Sequence, residues 1–292
     1  MAVELLGIIA PVFVCVLLGF AWRRAGRGYP TEFVTDLVTN LGAPSLVFSS
    51  LTTFRVEISL MTELMGAAAL AVLAFGVLGA IALAVLRLPR TSLLAPLMFP
   101  NAGNLALPLS LFAFGAEGLA LAASVFAMIA ILHFTLGIWI WTGTASIRAL
   151  LTAPVSWATL LALGVILSGV TPPIWIARST ELLGQVTIPL MLLTLGASLS
   201  GLQVRELPLS LGIGTLRIAM GVAVGFAISA GLGLDGTARG VFVIACAGPS
   251  AVFNYLFAER YERNPGQVAS VVLVSTLLSL LSYPLVIGVL LD

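Results

Sequence analysis

SLLAPLMFPNAGNLALPLSLFAFG, residues 92–115, is apolar over the length of a bilayer crossing, yet Pro96, Pro100 and Pro108 interrupt it, with Asn101, Gly103 and Asn104 between them. Proline removes a backbone donor and clashes with the preceding turn, and glycine permits turns that other residues resist. The stretch therefore reads as a membrane helix that breaks near its middle. VFVIACAGPSAVFNYLFAERY, residues 241–261, has the same pattern, with Gly248 and Pro249 at its centre and Asn254 beyond. A broken helix leaves unpaired N–H and C=O groups, tolerable in lipid only where they face protein, ligand or water.

The rest of the chain is consistent with lipid as the main solvent. Sixty per cent of the 292 residues are apolar and 9% charged, against roughly 25% charged in a soluble domain; the mean hydropathy is +1.16. At ~20 residues per helical crossing there is room for about ten crossings and short joints, which excludes a large catalytic domain outside the membrane. The spans fall near 4–22, 33–54, 64–86, 92–115, 118–141, 154–170, 178–200, 207–231, 237–259 and 267–290, and the joint at Gly115–Gly118 is very tight. Continuous apolar runs predict helices; barrel strands would alternate over short segments. A formal charge of +1 with no dense basic patch gives no footprint for nucleic acid. Glu4 precedes the first run and arginines follow it, the reverse of a signal peptide, so that run reads as a retained crossing.

Arginine sets the expected orientation. With both termini outside, the inward joints hold Arg23, Arg24, Arg27, Arg87, Arg90, Arg148, Arg205, Arg260 and Arg263, and the outward joints only Arg55, Arg178 and Arg239. A shift of 145 residues superposes Pro44 on Pro189, Gly103 on Gly248 and Glu117 on Glu262. Residues 1–145 and 146–292 thus read as two five-helix repeats. An odd number of crossings inserts the second upside down, the plan of many secondary transporters. Two broken helices at matching places would cross and turn their half-helix N-termini toward a substrate, an arrangement suited to an anion.

FPNAGNLALPL (99–109), IPLMLLTLGASLSG (188–201), GPSAVFNYLFAERY (248–261) and SVVLVSTLLSLLSYPLV (270–286) together resemble the bacterial branch of the auxin efflux carrier family. The resemblance covers essentially the whole chain. It implies an all-α, multi-pass protein of the inner membrane, with ten helices in an inverted repeat and crossing, broken fourth and ninth helices. It further implies a scaffold and dimer domain (about 4–54 and 154–200) and a moving, elevator-type transport domain (about 64–141 and 207–290). Family members move small organic anions such as auxin, malate or malonate, and the wider fold includes sodium-coupled bile acid carriers. Carried over by position, the crossover prolines fall at Pro108 or Pro100 and at Pro249, and the crossover asparagines at Asn101, Asn104 and Asn254, with Gly103 and Gly248 in the substrate-binding backbone. The long central loop of the long plant carriers has no counterpart between Gly143 and Ala153.

Five ionisable residues bear on mechanism. Arg217 lies mid-way along the eighth span, where a charge needs a partner, a cavity or water. It either balances an anionic substrate or bonds a carbonyl of a broken helix. His133, inside the fifth span, is either a proton-coupling group or a helix contact. Glu32 and Asp36 open the second span as helix-start acids, Asp36 being a poorer candidate for a cation site, and Glu259 is a candidate proton acceptor. Proton coupling, sodium coupling and facilitated diffusion are all compatible with these residues. A lone histidine and the absence of H-E-x-x-H give no metal cluster, and no cofactor or enzymatic role is expected. A channel, the other alternative, would want a ring of carbonyl-rich or charged motifs that is not apparent.

Overall fold

In lipid the backbone has no water to bond, so each apolar run closes its own hydrogen bonds as helix. The computed structural model describes residues 2–54, 57–144, 152–202 and 206–291. Among these there are helices and turns, with a single isolated bridge in place of any strand. Arg55, Arg148 and Arg205, three of the arginines used for orientation, lie outside the described residues.

Helix α1 spans Ala2–Arg24, α2 spans Thr31–Leu37 and α3 spans Ala43–Phe54, with a π turn at Val38–Gly42 joining the last two. Then come α4 (Ile58–Val85), α5 (Arg90–Met98), a π turn at Ala102–Ala106 and α6 (Leu107–Leu132). A third π turn, His133–Gly137, leads into α7 (Ile138–Thr142). The remainder are α8 (Pro154–Ser168), α9 (Ile174–Gly201), α10 (Leu207–Gly231), α11 (Gly236–Cys246), α12 (Val252–Arg260) and α13 (Pro265–Leu291).

Six helical stretches among the described residues are long and apolar enough to cross a membrane: Leu5–Arg24, Ile58–Val85, Ala102–Thr142, Ile174–Gly201, Leu207–Gly231 and Pro265–Leu291. Helices α8 and α11 are apolar but shorter. The molecule is a polytopic α-helical membrane protein. The 41-residue stretch is kinked at Gly115 (φ 67°, ψ −156°), the tight joint marked in the sequence.

Large apolar side chains such as Leu17, Leu73, Ile81, Leu161, Leu281 and Leu285 face outward, as lipid requires. Inside, small residues set the spacing. Helices α1 and α9 pack together where a Cβ on Gly19 would collide with the Leu193 carbonyl and one on Gly196 with the Val16 carbonyl. With no hydrophobic drive between helices in lipid, such backbone proximity is what gives the pair its dispersion contacts. Helix α3 packs on both α8 and α9, and α10 packs on α13 and α11.

Candidate functional site

The two unwound stretches meet. Helix α5 ends at Met98 before Pro100, and α11 ends at Cys246 before Gly248 and Pro249. Pro100 and Ser250 face each other as an antiparallel bridge. The Asn101 amide donates to the Pro249 carbonyl at 2.7 Å, and the Ala251 amide donates to the Phe99 carbonyl at 3.1 Å. The Ser250 amide donates to Ser275 Oγ of α13 at 3.2 Å. Each break thus satisfies backbone groups left over by the other. A buried group without a partner costs roughly 1–3 kcal/mol, so neither break is stable without its counterpart.

The carbonyl ends of the first half-helices are occupied by protein donors. Arg217 Nη2 donates to the Cys246 carbonyl at 2.9 Å, and the Tyr283 hydroxyl donates to the Ile244 carbonyl at 3.4 Å. Asn254 Nδ2 donates to the Phe99 carbonyl at 3.4 Å and to Ser250 Oγ at 3.1 Å. Because Phe99 O can only accept, the other end of the Asn254 amide is its oxygen, and His133 Nε2 is the donor to it at 3.0 Å. The His133 ring also stacks on Phe99, centroid to centroid 4.2 Å and 5° from parallel.

On one side of the crossing lies a cavity of about 740 Å³. All three π turns line it, through Val38–Asn40, Ala102–Asn104 and His133–Phe134, and α9 contributes Met191, Thr194 and Ser198. π turns of this kind occur frequently at functional sites. The second half-helices begin here: Ala102–Asn104 and Val252–Phe253 both line the wall, so two amide ends border the space while the carbonyl ends are bonded elsewhere. Asn101 caps the first of them, its Oδ1 accepting from the Asn104 amide at 3.3 Å. That leaves Asn101 Nδ2 buried and, among the described residues, without a partner. Exposed Arg23, Glu32, Asp36, Glu259 and Arg260 line the same cavity.

Of the residues singled out in the sequence, Asn101, Gly103, Asn104, His133, Asp36 and Glu259 line this one cavity. Gly248, Pro249 and Asn254 sit in the crossing behind its wall, Asn254 fully buried and linking both breaks to His133. Pro100 occupies the crossing and also lines the cavity; Pro108 follows the π turn at the start of α6 and lines none of the cavity. Arg217 is fully buried away from the cavity, bonded to a broken-helix carbonyl, the second of its two expected roles. The 145-residue shift pairs Gly103 with Gly248 in sequence; in space it is Pro100 and Ser250 that face each other.

Thr39, Asn40, Met191 and Thr194 were not anticipated. Their signal is faint: Pro44 follows the first π turn and Pro108 the second. Neither proline can donate to the carbonyl four residues back, so the helix widens just before it.

A family model described as membrane transport protein matches residues 142–287, half of the chain. A protein of Methanothermobacter thermautotrophicus named an uncharacterized transporter is 26% identical over 295 residues, and the match covers 95% of each chain.

Proposed function

The chain belongs to the membrane transport protein family, as its resemblance to the auxin efflux carriers implied, and on that premise we propose that it is a secondary carrier of small organic anions working by elevator-type alternating access. One observation carries the choice of an anion. The two amide ends at the crossing border the cavity, while the carbonyl end of α11 is bonded by Arg217 and Tyr283 and that of α5 by Asn254. Each helix terminus carries about half an elementary charge, positive at the amide end. The unpartnered Asn101 Nδ2 adds a side-chain donor, and Asn104 a second polar side chain. A carboxylate bound there gains donors from both repeats.

In this reading the chain forms ten crossings in two inverted sets. The crossing and its flanking helices (about 64–141 and 207–290) move against a scaffold (about 4–54 and 154–200) that also forms a homodimer in the inner membrane. Met191 and Thr194 of the scaffold and Asn101 and Asn104 of the moving part line the same cavity, which supports a substrate held at the sliding boundary. Arg23 and Arg260 line the cavity, and both lie in joints expected inside the cell, which supports reading the cavity as open inward with both termini outside. Of the titratable groups that line the cavity, His133, Asp36 and Glu259 are the proposed proton-coupling residues.

The test is uptake into proteoliposomes across a panel of mono- and dicarboxylates, with pH and sodium gradients imposed separately. The expected result is saturable uptake of at least one carboxylate, competed by its congeners. Saturable uptake of organic cations with none of any carboxylate, or single-channel conductance steps, would refute the reading.

A further inference from the structure

Among the described residues Arg217 has no carboxylate partner. Its guanidinium donates once, to the Cys246 carbonyl at 2.9 Å, and lies 4.4 Å from the centroid of the Phe75 ring. Nε and Nη1 have no partner among the described residues, and the side chain is fully buried. The carbonyl it holds ends α11, the half-helix that stops at the crossing.

The helix carrying it is brought there by glycine. A Cβ on Gly221, one turn beyond Arg217, would collide with the same Cys246 carbonyl, and one on Gly225 would stand 3.0 Å from Cys246 Cβ. A Cβ on Gly214, one turn before, would stand 3.3 Å from the Ser275 backbone. Helix α10 therefore lies close enough for a long cationic side chain to fold back against the end of α11 without reaching the cavity.

The unwound carbonyl end of a half-helix is where broken-helix carriers hold a coupling cation, because the partial negative charge and the freed oxygens converge there. Here a guanidinium already fills that place. We propose that Arg217 is the resident counter-cation of the crossing: a tethered charge that neutralises the α11 carbonyl end and makes transport independent of sodium at this place. Arg217 is then a positioning residue, acting on the substrate through the crossing, and the inference rests on the carrier reading above.

The same charge explains why the amide ends dominate the cavity. With the carbonyl end of α11 neutralised from behind, the substrate meets the positive termini without an opposing pole. An aromatic ring on one side and a carbonyl on the other suit a delocalised, weakly hydrated cation better than an ammonium.

The test uses the purified full-length protein. For the wild type, sodium in place of choline is expected to leave both Tm in detergent and the initial rate of carboxylate uptake unchanged; a sodium-dependent rise in either overturns the proposal. Arg217→Lys keeps a charge and is expected to retain uptake within about threefold of wild type, and Arg217→Gln, which keeps a donor without the charge, to lose tenfold or more. Equal uptake by the two variants would show that charge is not what matters. For Arg217→Ala, free guanidinium is expected to raise Tm and to have no such effect on wild type; a folded variant indifferent to guanidinium counts against the proposal. If it cannot be purified, the Lys and Gln pair decides. Should wild type move no carboxylate at all, the carrier reading fails, and Tm under sodium and guanidinium still judges the role of Arg217.

Discussion

The Asn101 amide donates to the Pro249 carbonyl at 2.7 Å, joining breaks made in two different helices. With the reciprocal bond from Ala251 to Phe99, this ties the halves of the chain at one buried point. Separating the two breaks would strand four backbone groups without partners, so in the elevator reading proposed above the crossing would move as one body. Carrying the amide ends of both half-helices across the membrane without dismantling them is what alternating access asks of a binding site.

Asn254 holds the joint from the side, reaching Phe99, Ser250 and His133 at once. Asn254→Ala orphans the His133 donor and loosens the Phe99 carbonyl, so a loss of ~1–3 kcal/mol is expected. Thermal unfolding in detergent checks it. In a double-mutant cycle with His133→Ala the two losses are expected to fall short of additive by ~0.5 kcal/mol or more; strict additivity would mean that the pair does not act together.

The contact of α1 with α9 gives a prediction at Gly196, which does not itself line the cavity. Gly196→Ala places a methyl against the Val16 carbonyl, and because the obstacle is backbone the helices themselves must separate. Overpacking of this kind costs typically 1–3 kcal/mol. A lower Tm and a lower yield of folded protein are expected, with KM for any transported carboxylate changed less than twofold in the protein that does fold. A large rise in KM would place this contact at the substrate instead.

Asn104 is half-buried on the cavity wall, and its own amide is held by Asn101 Oδ1. Asn104→Ala removes the side chain without disturbing that backbone bond. Transport efficiency is expected to drop tenfold or more with Tm unchanged. Unchanged uptake kinetics would remove Asn104 from the site.

The breaks were legible in the sequence because proline and glycine act locally: Pro100, Gly248 and Pro249 interrupt a helix whatever packs around them. The long apolar helices were legible for the same reason, and helix ends at Leu207 and Gly231 coincide with the span read from hydropathy. The partner of Arg217 was not. Which carbonyl a buried arginine meets depends on how closely α10 approaches α11, and that is set by Gly221 and Gly225, whose meaning appears only once the helices are packed. The wall formed by Thr39 and Asn40 was hidden likewise, since a π turn differs from an α turn by one shifted hydrogen bond.

Asn101 separates the anion reading from its opposite. Its Oδ1 caps the second half-helix by accepting from the Asn104 amide, and its Nδ2 is the buried donor without a partner. Asn101→Asp keeps an oxygen for the cap and replaces the free donor with an acceptor. Because aspartate caps a helix as well as asparagine does and a negative charge suits an amide end, stability is expected to hold or rise slightly. Uptake of a carboxylate is expected to fall by two orders of magnitude at neutral pH, since like charges now meet at the amide ends, and to recover partly in acid as the new carboxyl is protonated. Asn101→Ala, by contrast, should lose both the cap, ~1 kcal/mol, and the donor. If the aspartate variant bound and moved carboxylates as well as wild type, the crossing would not be the anion site; if it gained organic cations instead, the amide ends would not be what selects the substrate's charge.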